Sequence, residues 1–298
     1  MTTTHTTHQD IPFPPDPNPR KPRLAVPPGS WDSHFHIFGP PHRFPYAESR
    51  RYSPPTAPIE HWLSVSSAIG IERGFVVTPS VHDLDPAVTL DAIARSDGRI
   101  RGMVRANASM TDSEVKRLHA GGIRGLRFPF AKVVRREFDA NEFHANIARI
   151  EPANWVVEFQ IDGDMLETHA DLIGNVPLPT IIDEFAGIQP AGGLDQPAFR
   201  TLLDLLAKPN MYLKLICADR YLYQGQRYED VVAMSRAVIA KAPDRIIWGS
   251  DWPHSYVFEA NAMPNDGDLI DMLLDFAPDE AVRNKLLVDN PKRLFDFD

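Results

Sequence analysis

The run WDSHFHIF at 31–38 sets Asp32, His34 and His36 at every second position of an otherwise apolar stretch. Side chains two apart on a strand point to the same face, so all three are expected to address one space. Paired imidazoles can ligate a metal or handle protons near neutral pH, and a nearby carboxylate can serve either chemistry. A second polar cluster, Ser250, Asp251 and His254, ends the run RIIWGSDWPH near the other end of the chain. Between them come further polar residues at the ends of apolar runs. These are Ser80, His82 and Asp83; Arg127, then Lys132, Arg135 and Arg136; Glu158 and Gln160; Asp183 and Glu184; Lys214, Asp219 and Arg220. Singly, each has a structural explanation: Arg127 as a bridge from helix to sheet, Asp183 or Glu184 as a helix cap. Collected in one place, so many charges are costly to bury without a ligand or mutual partners. His42, His144 and His169 fall in loop or helical segments and are expected to be solvated.

The elements that would collect them are strands alternating with helices. Strand-like runs occupy 30–38, 73–79, 100–106, 123–130, 155–162, 179–187, 211–220 and 245–254, rich in Val, Ile, Leu and aromatics as expected for strands buried on both faces. IEHWLSVSSAIG, AVTLDAIARS, SEVKRLHAGG, NEFHANIARI, AFRTLLDLLAK and YEDVVAMSRAVIAKA carry apolar residues at helical spacing. Thr111 with Glu114 three residues on suggests a capping box, and Gly121 and Gly122 a helix stop. Eight such units predict an α/β fold, a (β/α)8 TIM barrel, whose active site lies at the C-terminal ends of the strands. No Gly-rich phosphate loop follows the first strand, which weakens a nucleotide-binding reading. One domain is expected over 29–298. The Thr-, Pro- and His-rich residues 1–28 are expected to form a disordered or draped N-terminal arm. DEAVRNKLLVDNPKRLFDF is expected to pack on the barrel as an extra helix.

The chain has 298 residues, 43% of them hydrophobic, enough for one large core. A formal charge of −9 argues against a nucleic-acid partner, since phosphate-backbone binding relies on clustered Lys and Arg. The single cysteine, Cys217, excludes an intrachain disulfide and a multi-cysteine metal site. No apolar run is long enough to span a membrane, and the first residues lack the apolar stretch of a secretory signal. A cytoplasmic protein is expected, with homo-oligomerisation left open.

The motifs DSHFHIF, WGSDWPH and DNPKRLF resemble the amidohydrolase superfamily. RFPYAESRRYSPPTAPIEHW, FVVTPSVHD, GIRGLRFPF and YLKLICADR narrow the resemblance to its 2-pyrone-4,6-dicarboxylate lactonase group, from about Trp31 onward. The resemblance implies a (β/α)8 hydrolase that opens a carboxylated lactone without a divalent metal. It implies Asp251 as the carboxylate that activates water, with His34 and His36 lining the reaction centre. It further implies Arg127 and Arg220 as holders of substrate carboxylates, and Tyr52 and Ser80 as polar substrate contacts. Three positions depart from the group. Glu184 stands where a His usually follows the strand-six Asp, Val133 replaces a cation for which Lys132 or Arg135 could substitute, and Phe159 replaces a Tyr. Glu184 is then either a hydrogen-bonding acid in place of that His or a partner of His36. Were a metal bound, His34, His36 and Asp251 would supply three ligands to a single Zn or Mn ion. A two-metal centre lacks its strand-five and strand-six histidines. The expected cofactor is none, with that single cation as the alternative. The competing functions are an isomerase of sugar-acid lactones, a metal-dependent decarboxylase and a catalytically inactive barrel that binds carboxylates.

Overall fold

The computed structural model describes residues 10–130 and 139–295. Eight parallel strands pair in sequence order: β1 (Trp31–Phe35), β2 (Arg73–Val77), β3 (Ile100–Arg105), β4 (Ile123–Pro129), β5 (Val156–Gln160), β6 (Thr180–Ile182), β7 (Met211–Leu215) and β8 (Ile246–Trp248). The ring closes where Phe35 bridges Trp252; Asp251 N–H donates to the His34 carbonyl at 2.9 Å and His36 N–H to the Trp252 carbonyl at 2.8 Å. This is a (β/α)8 barrel. Its helices are α1 (Ile59–Ile69), α2 (Ala87–Ala94), α3 (Asp112–Ala120), α4 (Ala140–Ile150), α5 (Gly163–Gly174), α6 (Pro197–Leu206), α7 (Ala218–Tyr223) and α8 (Tyr228–Lys241). After β8 come α9 (Asp266–Asp271), α10 (Leu273–Phe276), α11 (Glu280–Asn284) and α12 (Asn290–Phe295).

The six helices expected from periodicity are α1 to α4, α6 and α8. At α3 the Thr111 hydroxyl accepts from Glu114 N–H at 3.2 Å, one half of a capping box. Helix α5 was not expected: it begins and ends on glycine and buries only Leu166, Ile173 and Gly174, a faint apolar stripe. The strands stop short of the runs that suggested them. β6 ends at Ile182 and β7 at Leu215, and ADRYLY is helix α7 rather than strand. The cause is left-handed backbone just past the strand ends: Glu184, Phe185 and Ala186 have φ of 50°, 52° and 54°, Cys217 59° and Asp251 61°. Those turns leave the pleat, yet Phe185 and Ala186 stay fully buried, so their composition mimics a strand. Non-glycine residues pay for such geometry, and it concentrates at functional sites.

The lower barrel interior is filled by Trp31, Phe75, Met103, Val156, Ile181 and Ile247 among others, and α12 inserts Phe295, whose ring stacks on Phe75 at 3.8 Å. The C-terminal segment thus plugs one end, and the polar residues occupy the other. Outside, the described part of the N-terminal segment is tied down. Asp10 accepts from Ser53 N–H at 3.1 Å, Phe13 N–H donates to the Val257 carbonyl at 2.9 Å, and Leu24 N–H donates to Asp271 of α9 at 2.9 Å. Among the described residues, no helix is long and apolar enough to cross a membrane.

Candidate active site

A register irregularity between Asp32 and Phe35 interrupts the simple alternation of β1. Asp32 therefore does not join the two histidines, correcting the expectation of a shared face. It accepts from Trp62 Nε1 of α1 at 3.1 Å, and from Ser250 N–H and hydroxyl at 2.9 and 2.6 Å. It pins β1 to the turn after β8 and is structural. His34 and His36 do converge: their Nε2 atoms lie 3.2 Å apart, and each stands 3.6 Å from the same Asp251 oxygen, Oδ1. Burial pushes His34 down to about 3, and burial likewise lowers His36 against the pull of Asp251, so both rings are neutral at pH 7.

Beneath the pair lies a buried ionic layer. Arg127 and Glu158 are register partners on β4 and β5, and Arg127 Nε lies 2.8 Å from Glu158 Oε1. The same guanidinium donates to Asp183 at the end of β6, while Lys214 of β7 donates to Glu158. Lys214 and Glu158 are fully buried, with the ammonium 5.6 Å above the Phe75 ring. Two acids and two bases balance, which is what permits the burial. Burial and the neighbouring Asp183 charge raise the Glu158 carboxyl. Burial opposes ionisation of Asp183 too, but the surrounding cations, Arg127 and Lys214 among them, outweigh it and hold that carboxyl well below the usual range.

Asp251 is set by its turn. Its Oδ2 accepts from Arg220 Nη2 of α7 at 3.1 Å and from the Cys217 thiol at 3.1 Å. Burial works against its charge, yet the Arg220 guanidinium, helped by the Cys217 thiol, holds its carboxyl below the ordinary value. Arg220 also reaches Glu184 at 2.5 Å and lies over the Tyr256 ring at 4.3 Å. Burial lifts Glu184 to about 7 despite Arg220, helped by the charges of Asp183 and Asp251. A cavity of about 280 Å³ opens here, lined by Gln160, Asp183, Glu184, Cys217, Arg220 and Tyr221 among others. Tyr52 and Ser80 hydrogen-bond to each other near this group, the Tyr52 hydroxyl also lying 3.3 Å from Ser255 Oγ, within electrostatic reach of Asp251 and Arg220.

Of the residues expected at the site, His34, His36, Asp251, Arg220 and Glu184 form one contiguous group. Tyr52 and Ser80 border it, and Arg127 lies below it, facing Glu158 and Asp183. Lys132, with Val133, Arg135 and Arg136, lies outside the described residues. Sequence reasoning gave Lys214 and Glu158 no role. The available signal was a lone charge inside MYLKL and another inside VVEFQ, since a charged residue in a doubly buried strand needs a partner.

Three donor atoms with these separations also test the metal reading. The point in the plane of His34 Nε2, His36 Nε2 and Asp251 Oδ1 that is equidistant from all three lies about 2.0 Å from each, the length of a Zn–N or Zn–O bond. The spacing therefore fits an ion, and the fit of the protons turns on His34. His36 Nδ1 lies 2.8 Å from the Val77 carbonyl, which can only accept, so its Nε2 is free to ligate. His34 Nδ1 instead faces the Lys214 ammonium at 3.3 Å, which can only donate. Lys214 thus favours the His34 proton on Nε2, where a metal bond would have to form, while Asp183 Oδ1, 3.5 Å from the same Nδ1, favours it on Nδ1.

The amidohydrolase family model matches residues 31–297. The chain is 43% identical over 274 residues to a 4-sulfomuconolactone hydrolase of Hydrogenophaga intermedia, covering 92% of this chain and 90% of the relative. It is 32% identical to a 2-pyrone-4,6-dicarboxylate hydrolase of Comamonas testosteroni, covering 93% of each chain. It is 31% identical to a D-galactarolactone isomerase of Agrobacterium fabrum, covering 94% of this chain and 93% of the relative. The matched span runs from the first residue of β1 past α12 and takes in every residue of the group just described, so the chain belongs to the amidohydrolase family.

Proposed function

We propose that this protein is a hydrolase that opens a lactone bearing an anionic substituent, using Asp251 as the base and no divalent metal. The observation that carries the reading is the ionised Asp251 carboxylate, 3.6 Å from both neutral imidazoles and bound at 3.1 Å by Arg220 and Cys217, which themselves line a cavity. The relatives support it, each being named for an acidic lactone. Water seated over the three atoms donates one proton to Asp251 as its oxygen bonds to the ring carbonyl. As the His34–His36 hydrogen bond opens to the substrate, the His34 Nε2–H meets the charge developing on the carbonyl oxygen, and His36 Nε2 accepts the water's second hydrogen. The ring C–O bond then breaks, and the departing oxygen recovers the proton from Asp251. An ester oxygen leaves more readily than an amide nitrogen, so this chemistry proceeds without Lewis-acid activation.

Arg220 holds the substrate's anionic group through its planar fork, with Tyr52 and Ser80 as polar contacts and Lys132 as a further cation. Arg127 can join it only by giving up Glu158 or Asp183. Glu184 competes with the substrate for Arg220. Below about pH 7 Glu184 is neutral and Arg220 is released; above it Glu184 ionises and recaptures the guanidinium. The value of kcat/KM for an anionic lactone is therefore expected to fall as pH rises through about 7, and Glu184→Gln to abolish that fall. A pH profile of the two proteins checks it; an unchanged limb in the variant removes Glu184 from substrate binding.

The test of the whole reading is turnover by chelator-treated protein on 4-sulfomuconolactone, 2-pyrone-4,6-dicarboxylate and D-galactarolactone in ¹⁸O water. One solvent oxygen in an opened product is expected. An unlabelled, ring-shifted product would favour lactone isomerisation, the reaction in the name of the Agrobacterium relative. Binding without any turnover would leave a carboxylate-binding barrel.

A further inference from the structure

His34 Nδ1 has two claimants of opposite chemistry. The Lys214 ammonium lies 3.3 Å away and can only donate; Asp183 Oδ1 lies 3.5 Å away and can only accept. The first demands a lone pair on Nδ1 and so a proton on Nε2; the second demands the reverse. Lys214 is the nearer of the two and within hydrogen-bond distance, whereas no hydrogen bond of ordinary length and direction reaches Asp183 Oδ1 among the described residues. Everything beyond follows one direction: Lys214 donates to His34, His34 Nε2–H to His36 Nε2 at 3.2 Å, and His36 Nδ1–H to the Val77 carbonyl at 2.8 Å. Only His34 departs from the state a metal would need. His36 already offers its Nε2 lone pair, Asp251 is an anion, and the spacing of the three atoms suits an ion.

We propose that Lys214 is a positioning residue that keeps the His34–His36–Asp251 triad from taking a divalent metal. It does so by holding the His34 proton on Nε2, while Asp183 stands ready to draw that proton to Nδ1 once Lys214 is gone. Resting on the metal-free part of the function proposed above and not on the identity of the lactone, this role makes one lysine the difference between a hydrogen-bond donor and a metal ligand. Removing the ammonium lets the ring adopt the tautomer with Nδ1–H directed at Asp183, which frees Nε2 and completes the set of three ligands. The Lys214 charge adds a second obstacle, because it stands one imidazole away from where a dication would sit.

The experiment compares wild type with Lys214→Met and with Lys214→Met/Glu158→Gln, the double variant avoiding an unpaired Glu158 should the single one fail to fold. Each is stripped with chelator and titrated with Co²⁺, read by its visible ligand-field bands and by bound metal after gel filtration. The variants are expected to bind about one equivalent, about 10- to 100-fold more tightly than wild type. In ¹⁵N-histidine-labelled wild type, the His34 Nδ1 signal, assigned with a His34→Gln variant, is expected at the position of an unprotonated ring nitrogen. Wild type binding Co²⁺ as tightly as the variants, or a protonated Nδ1 in wild type, would overturn the proposal. Because no substrate enters these measurements, failure of the lactone reading would leave their outcome unaffected.

Discussion

Asp251→Asn lowers kcat by about 10²- to 10⁴-fold, the range expected when a positioned general base is lost, and leaves the barrel folded. The two effects separate because the residue does its two jobs with different atoms. Barrel closure uses its backbone, the N–H donating to the His34 carbonyl at 2.9 Å, and the substitution leaves that bond in place. The asparagine side chain still offers an oxygen to Arg220 and to the Cys217 thiol, which both contact Oδ2. What it lacks is a proton acceptor for water. Since Arg220 holds the carboxyl below its ordinary value against the effect of burial, wild type has its base ionised throughout neutral pH. The loss is thus expected in kcat across that whole range rather than at one end. Steady-state kinetics with a circular-dichroism melt decide the matter, and near-normal kcat in a folded variant would remove Asp251 from the chemistry.

Arg127→Met lowers the free energy of unfolding by about 3–5 kcal/mol, the usual cost of removing one partner from a buried charge pair. Its guanidinium faces two fully buried carboxylates, Glu158 at 2.8 Å and Asp183. Without it, Lys214 alone must offset both. Adding Glu158→Gln restores equal numbers of charges and recovers most of the loss. Arg127→Lys does not, because a single ammonium cannot span two acceptors as the planar fork does. Urea midpoints at unchanged slope measure these differences. If Arg127→Met were as stable as wild type and instead raised KM for carboxylated substrates alone, Arg127 would be a substrate clamp and not a counter-charge.

How far the sequence carries can be judged at particular residues. The eight alternating units, the paired histidines on the first strand and the late aspartate were all legible, because strand composition, helical periodicity and residue spacing are local properties. The meeting of His34 and His36 with Asp251 was implied by barrel topology, which sends every strand end to one rim. Asp32 was misplaced because an irregularity in register shifts which residues share a face, and no local pattern announces it. The strand runs through Phe185 and Cys217 were drawn too long because buried turn residues are as apolar as strand residues. Phe185 is fully buried with φ of 52°.

The chain's own residues, then, determined the barrel, its family resemblance and the cast of groups at its mouth. Only the tertiary structure decided their states. Arg127 and Glu158 stand 31 positions apart yet meet as neighbours across β4 and β5; Lys214 reaches His34 across 180 positions. Whether a guanidinium is spent on neighbouring acids or left for a substrate depends on distances in space. So does the end of an imidazole that bears its proton. Charge interactions at a few ångströms in a dry interior outweigh any preference written into a short stretch of chain.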